Sequence, residues 1–303
     1  MTTSMVKLTF QAPVHFGDGR LSGSEYTCDA ATLFSALFIE ALKMDCADEL
    51  LAATKLGELT LSDAFPYIGE RLYVPKPMVD SGPYAESEDS RARKASKALK
   101  YIPMDEVPDY LNGSFDFINE LGRFQNGASF LRTKVNLMRE TSDDAEPYHV
   151  GGFQFAPNCG VYFLVAGSYD LLPLLEQLSY SGIGGKRSSG YGRFEFSVSD
   201  NSLFPLMRHI NSGKHAMLMT SSLPRENELT EGLIDGARYR LVRKGGFVQS
   251  ASHASTPKKK RNMWLFAPGS MFERTFEGDV FDVNGGSGKH PVYRYARAMW
   301  MEV

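Results

Sequence analysis

Residues 179–194 read SYSGIGGKRSSGYGRF, with five glycines, three cations and no carboxylate. Gly182, Gly184, Gly185, Gly190 and Gly192 remove side-chain bulk, so backbone N–H groups there can approach a ligand closely. A concavity of such groups beside Lys186 and Arg187 is a phosphate-binding device. The preceding DLLPLLEQLSYSG has helical spacing, and the following RFEFSVS alternates like a strand. The loop therefore joins a helix at 170–180 to a strand at 193–199. Nucleotide motifs do not fit it. A P-loop runs from strand to helix and needs Ser or Thr after its lysine, where Arg187 stands, and Tyr180 replaces its first glycine. A dinucleotide fingerprint fails because Arg187 takes the third glycine position. The plainer alternative is a flexible surface loop.

At 303 residues the chain can bury one large core or two ordinary ones. No apolar run approaches membrane-spanning length, and MTTSMVKLTF enters a strand-like alternation rather than a secretory signal. Three scattered cysteines suggest a reducing cytosol and offer no metal or redox pair. The net charge of −3 is unevenly spread: windows 121–139, 179–194, 238–261 and 285–301 lack Asp and Glu and hold 18 of the 33 cations in 76 residues. A positive face on an acidic body suits a polyanion; separate solvated basic loops would give the same count.

Val6, Leu8 and Phe10 predict a half-buried first strand. Asp29 then caps a helix whose stripe is Leu33, Phe34, Leu37, Phe38, Ala41 and Leu42, and a short helix at 48–55 stops at Gly57. Residues 80–100 read as a polar excursion with a basic helix near its end, and 106–121 as a further helix. RTKVNLMRE reads as one strand of a projecting hairpin. GGFQFAP and VYFLVAG (161–167) follow as strands. The order β–α–insertion–β–β–α–β is that of a ferredoxin-like, RRM-type domain. We therefore expect an α+β chain: residues 1–200 as one such domain with an insertion at about 75–150, and 201–303 as a smaller second one, built from the strand-like HAMLMTSSL, ARYRLVRKGG, NMWLFAPGSMF and VYRYARAMWMEV.

VKLTFQAPVHFGDGRL (6–21), TLFSALFIEAL (32–42) and SGIGGKRSSGYGRFEF (181–196) together resemble the RAMP superfamily of CRISPR effector proteins. GGFVQS (245–250), KKKRNMWLFAPGSMF (258–272) and HPVYRYA (290–296) extend the likeness to the Csm-complex subunit that caps the crRNA 5′ end in type III-A systems. The resemblance spans most of the chain and is thinnest over 80–120. It implies a non-catalytic RNA-binding subunit without cofactor, gripping the repeat-derived 5′ handle. It also implies a large polymerase-like subunit and an adjacent RAMP backbone subunit as partners. A thumb-like hairpin at 123–140, with Arg132, Lys134, Asn136 and Arg139, is expected to lie near target RNA.

Holding single-stranded RNA without cleavage takes cations and N–H groups for phosphates and aromatic faces for bases. Lys186, Arg187, Ser188, Ser189 and Tyr191 are candidates in the glycine loop, with His15 and Arg20 around HFG. Lys244, Phe247, Lys259, Arg261 and Arg294 are candidates downstream, although core packing is the commoner fate of an aromatic and KKKR also reads as a solvated face. His15 carries a rival reading as the base of a metal-independent ribonuclease, with Tyr191 or Lys186 as its partner. The six histidines are dispersed, without metal-ligand spacing. A third reading is a protein-only scaffold whose basic windows meet an acidic partner.

Overall fold

The computed structural model describes residues 2–79, 89–136, 146–200, 206–207, 215–250, 253–286 and 288–303. Strand β1 (Thr2–Phe10) buries Val6, Leu8 and Phe10, as their spacing predicts. Asp29 caps helix α1 (Ala30–Lys43), its Oδ1 accepting from Thr32 N–H at 2.8 Å. Leu33, Phe34, Leu37 and Ala41 face the core, but Leu42 is 58 % exposed. At about 100° per residue, Leu42 stands roughly 140° around the helix from Leu37, outside the buried arc. Helix α2 (Ala47–Leu56) ends at Gly57, whose φ of +80° is the left-handed cap that glycine supplies.

The next stretch holds elements absent from the expectation: β2 (Leu59–Leu61), β3 (Phe65–Ile68) and β4 (Arg71–Pro75). Helix α3 (Ser90–Ala98) is the basic helix, followed by β5 (Tyr101–Pro103). The helix expected over 106–121 is two. Helix α4 (Val107–Asn112) stops at Gly113, with φ +86°, and Asp116 starts α5 (Phe117–Arg123) by accepting from the N–H groups of Ile118 and Asn119. The hairpin β6 (Gly127–Asn136) and β7 (Glu146–Phe155) pairs through ten residues of each strand. Strand β8 (Cys159–Gly167), helix α6 (Leu172–Ser181) and β9 (Phe194–Asp200) complete this half.

The main sheet is antiparallel in the order β5–β4–β3–β8–β1–β9, with β2 also paired to β8. A ferredoxin-like order would put GGFQFAP beside VYFLVAG in this sheet. It lies instead in β7, whose ladder partner is β6, and β3 takes the place beside β8. The β7 backbone is occupied along the whole hairpin, whereas β3 is short and arrives before the insertion.

Beyond residue 200 come β10 (Leu206–Met207), β11 (Ala216–Leu218), β12 (Leu241–Lys244), β13 (Met263–Phe266), β14 (Met271–Phe272), β15 (Val280–Asp282), β16 (Tyr293–Tyr295) and β17 (Trp300–Glu302). They form a sheet β10–β17–β11–β14 and the hairpins β12–β13 and β15–β16. No α-helix occurs among the described residues of this segment, so the helices of a second ferredoxin-like domain are not found there. Pro268 and Gly269 interrupt NMWLFAPGSMF, which is split into β13 and β14.

Residues 159–164 of β8 are all buried, without alternation, because both faces of the sheet are covered. Val161 and Phe163 join Val6 and Leu8 under α1 and α6. Tyr162 and Leu164, with Met5, meet Met217, Met219, Met271, Met299 and Met301 from the C-terminal segment. Asp63 ties the halves further. Its Oδ1 accepts from Ala30 N–H at 2.9 Å and Ser221 N–H at 3.0 Å, and its Oδ2 accepts from the Ser221 hydroxyl at 2.7 Å.

Leu164→Ala is expected to destabilise the protein by about 2–5 kcal/mol, read as a lower urea midpoint; a loss under about 1 kcal/mol would mean the methionine layer does not depend on that face. Burial, and then Asp29, push the Asp63 carboxyl up to about 6 from 3.8. Asp63 thus holds its proton more tightly folded than unfolded, and its contribution to stability falls as pH rises from 3.8 to about 6. Asp63→Asn retains the Oδ1 acceptor and can donate to Ser221. It is expected to flatten that part of the melting-temperature profile; an unchanged slope would remove Asp63 as its origin.

Candidate nucleic-acid interface

The glycine loop spans 182–193 between α6 and β9. Its glycines serve close packing as much as ligand approach. A Cβ on Gly184 would sit 2.8 Å from His15 O, and one on Gly185 2.6 Å from the His15 ring. Gly192, at φ +77°, would place a Cβ 2.0 Å from Ile183 O. Several N–H groups are bonded within the chain: Gly185 to His15 O at 2.9 Å, Ile183 to Gly192 O at 3.0 Å, and Gly192 to Pro13 O at 2.8 Å. Gly182 caps α6, its N–H donating to Leu178 O at 2.7 Å. Among the described residues, the N–H groups of Gly184 and Lys186 have no backbone acceptor, and Lys186 itself is left-handed, with φ +59°. Arg187–Ser189 form one 3₁₀ turn that leaves Ser188, Ser189 and Gly190 exposed.

The β6–β7 hairpin stands against this loop. Lys134 Nζ donates to Ser189 Oγ at 3.2 Å and lies 5.9 Å from the centre of the Tyr191 ring. Lys186 Nζ lies 5.5 Å from the Tyr148 ring, and the Arg132 guanidinium 4.9 Å from the Phe130 ring. Arg132, Lys134, Lys186 and Arg187 have no carboxylate within ion-pair distance among the described residues. Asn136 ends β6 and Arg139 lies outside the described residues.

His15 and Tyr191 are supports rather than open contacts. His15 is 8 % exposed, and its Nδ1–H donates to Gly151 O at 2.8 Å, pinning the loop to β7. Tyr191 is buried under Phe130, its hydroxyl without a hydrogen-bond partner among the described residues. Neither burial favours a proton shuttle with an external 2′-hydroxyl. Among the described residues no three His, Cys, Asp or Glu side chains are grouped to hold a metal ion.

A cleft of about 2380 Å³ runs from the glycine loop, past the N-terminus of α1, to the β12 and β16 strands. It brings together His15, Gly184, Gly185, Arg187, Lys244, Phe247 and Arg294 from the sequence reading. Ten Lys or Arg residues line it against five carboxylates, so the cleft as a whole is positive. Lys244 is not a free cation, because Asp29 Oδ2 lies 2.8 Å from its Nζ. Burial pushes Asp29 up, but Lys244 and the donors of Thr32 outweigh it and hold the carboxyl down to about 2. Phe247 is 56 % exposed, with Lys259 Nζ 5.8 Å from its ring centre. Tyr295, in contrast, is fully buried and its hydroxyl accepts from Leu61 N–H at 2.7 Å. Arg20 is exposed in the turn after Phe16, and Arg261 is exposed with its Nη2 on Asp282 O at 3.4 Å; neither lines the cleft.

The sequence reading missed Lys76, Lys97, Lys100, Arg240, Arg243 and Lys260 as lining residues. The signal for two of them was the run SRARKASKALK, free of carboxylates. Nothing within KKKR singles out Lys260, which reaches the cleft because its N–H donates to Gly246 O at 2.8 Å.

The family model of the CRISPR Csm4 C-terminal domain matches residues 211–303. The chain is similar to the CRISPR system Cms protein Csm4 of Mycobacterium tuberculosis, 37 % identical over 293 residues that make up 95 % of this chain and 93 % of that one. Two solved structures share the fold. A chain from the Csm3–Csm4 subcomplex of the type III-A CRISPR-Cas interference complex matches with a TM-score of 0.66 at 17 % identity, covering 100 % of this chain and 99 % of that one. A chain from a Csm1–Csm4 cassette in complex with pppApA matches with a TM-score of 0.64 at 20 % identity, covering 100 % and 98 %. With a cationic cleft beside a glycine loop, and an alignment that runs almost end to end with a curated relative, the chain belongs to the Csm4 family of CRISPR proteins.

Proposed function

We propose that the chain is a non-catalytic subunit of a type III-A CRISPR effector complex that holds the repeat-derived 5′ handle of the crRNA. In this reading it docks the large polymerase-like subunit, abuts a RAMP backbone subunit, and places its β6–β7 hairpin near target RNA. The observation that carries the reading is the excess of cations lining one long cleft between the glycine loop and the C-terminal strands. Csm1 and Csm3 as partners of the structurally similar chains support the docking part. A ferredoxin-like first unit over 1–200 is supported by the order β9–β1–β8–β3, with α1 and α6 on one face. We place the junction to a smaller second unit at about residue 200, with both units sharing the methionine layer.

The ribonuclease alternative is disfavoured by the burial of His15 and Tyr191.

Protein–RNA crosslinking along a crRNA, in the reconstituted complex, tests the reading. Crosslinks from residues 184–190 to the 5′ handle are expected. In Lys186→Ala/Arg187→Ala they should weaken, and the salt dependence of binding should fall by about 0.7 in log–log slope for each phosphate no longer neutralised. Crosslinks confined to other parts of the RNA would sink the handle assignment. Repeat RNA incubated without metal is expected to stay intact with wild type and His15→Ala alike; cleavage that depends on His15 would restore the ribonuclease reading.

A further inference from the structure

We propose that Lys260 and Arg294 form a phosphate site within the cleft, built to take one phosphate group of a single RNA strand, while Lys244 is held out of it by Asp29. The proposal rests on the RNA-binding reading above and names the side chains that would meet the strand on the wall opposite the glycine loop.

Arg294 is 6 % exposed and lines the cleft from β16. Its Nη2 donates to Gly245 O at 2.9 Å, and its Nε is buried without a hydrogen-bond partner among the described residues. A guanidinium carries five N–H donors, so most of this one is unanswered by acceptors among the described residues. Lys260 is half-buried on the same cleft, and its ammonium has neither an ion pair nor a side-chain hydrogen bond among the described residues. Burial, and then the neighbouring Arg294, pull Lys260 below its usual value, and burial does the same to Arg294. Two desolvated like charges side by side are unfavourable for the empty fold. A phosphate oxygen between them would supply the missing acceptor and the missing charge together.

Nearby carboxylates fill that role only in part: the charge of Asp29 acts favourably on both Lys260 and Arg294, but it does not outweigh their burial. Asp29 is engaged by Lys244 at 2.8 Å, and both Asp63 oxygens accept from Ala30 and Ser221. Gly245 and Gly246 join the two cations, Arg294 donating to Gly245 O and the Lys260 N–H to Gly246 O at 2.8 Å, and a Cβ on Gly246 would meet nothing within 4 Å among the described residues. Next along the chain, Phe247 offers a half-exposed ring on the same cleft. A phosphate with an adjacent base fits that pairing of cation and ring better than an acidic peptide does.

Fluorescence anisotropy of a short labelled single-stranded RNA across a salt series tests the site, using the full-length chain with the subunits that co-purify. Lys260→Gln and Arg294→Gln are each expected to weaken binding about tenfold and to reduce the log–log salt slope by about 0.7. Lys260→Gln should melt at the wild-type temperature or above. Its folded value lies below the unfolded one, so the protonated form opposes folding and a neutral side chain removes that opposition. Arg294→Gln alters a buried side chain, so Lys260→Gln decides if the former does not fold. Unchanged affinity and slope in Lys260→Gln, with Lys186→Ala/Arg187→Ala still weakening the complex, would overturn the cleft site and leave the RNA-binding reading standing. RNA binding absent from wild type would overturn both. Displacement of the RNA by polyglutamate at equal charge would mark a carboxylate site and overturn the phosphate assignment.

Discussion

Strand β8 is buried on both faces, and the remaining architecture follows from that constraint. A strand covered on one side only would leave Tyr162 and Leu164 in water; here the methionines of β11, β14 and β17 and of the turn before β17 close over them. Flexible thioethers suit an irregular surface where two separate sheets meet. The C-terminal segment is therefore part of the same body as the main sheet, and its β12 and β16 strands are carried to the mouth of α1. That placement makes the cleft.

Within the cleft, charge is arranged by pairing some groups and leaving others unpaired. Asp29 answers Lys244, and Asp63 answers the N-terminal N–H of α1 and the Ser221 backbone. These two carboxylates fasten β12 and the β11 end to the helix. Arg187, Lys260 and Arg294 have no such answer among the described residues, and burial makes the isolation of Lys260 and Arg294 costly. Binding an anion would recover that cost, so within KKKR the cleft-lining Lys260 is more informative than the exposed Lys259 and Arg261.

The glycine loop was legible as a special segment, yet its reason was only half visible. Its glycines could be read as room for a ligand; the structure shows that Gly184 and Gly185 are needed to pass over His15 and Phe16, and Gly192 to pass Ile183. His15 stood out as a lone histidine after a strand, and nothing in the chain around it announced that Gly151, far away in sequence, would take its Nδ1–H. Likewise Tyr191 read as an RNA contact of the loop or a proton-transfer partner of His15, and the structure buries it against Phe130.

Periodicity, caps and acid-free windows determined β1, α1 with its Asp29 cap, α2 with Gly57, α6, β9 and the first strand of the β6–β7 hairpin, because each depends on contacts a few residues apart or on local backbone geometry. The same local rules identified where cations concentrate. Only the tertiary structure decided that β3, not β7, lies beside β8, that the C-terminal half covers the sheet with strands and no helix among its described residues, and which cations are paired. Those outcomes rest on ladder partners and ion pairs separated by tens to hundreds of residues, such as Lys244 with Asp29, and no spacing within a segment records which distant group will complete it.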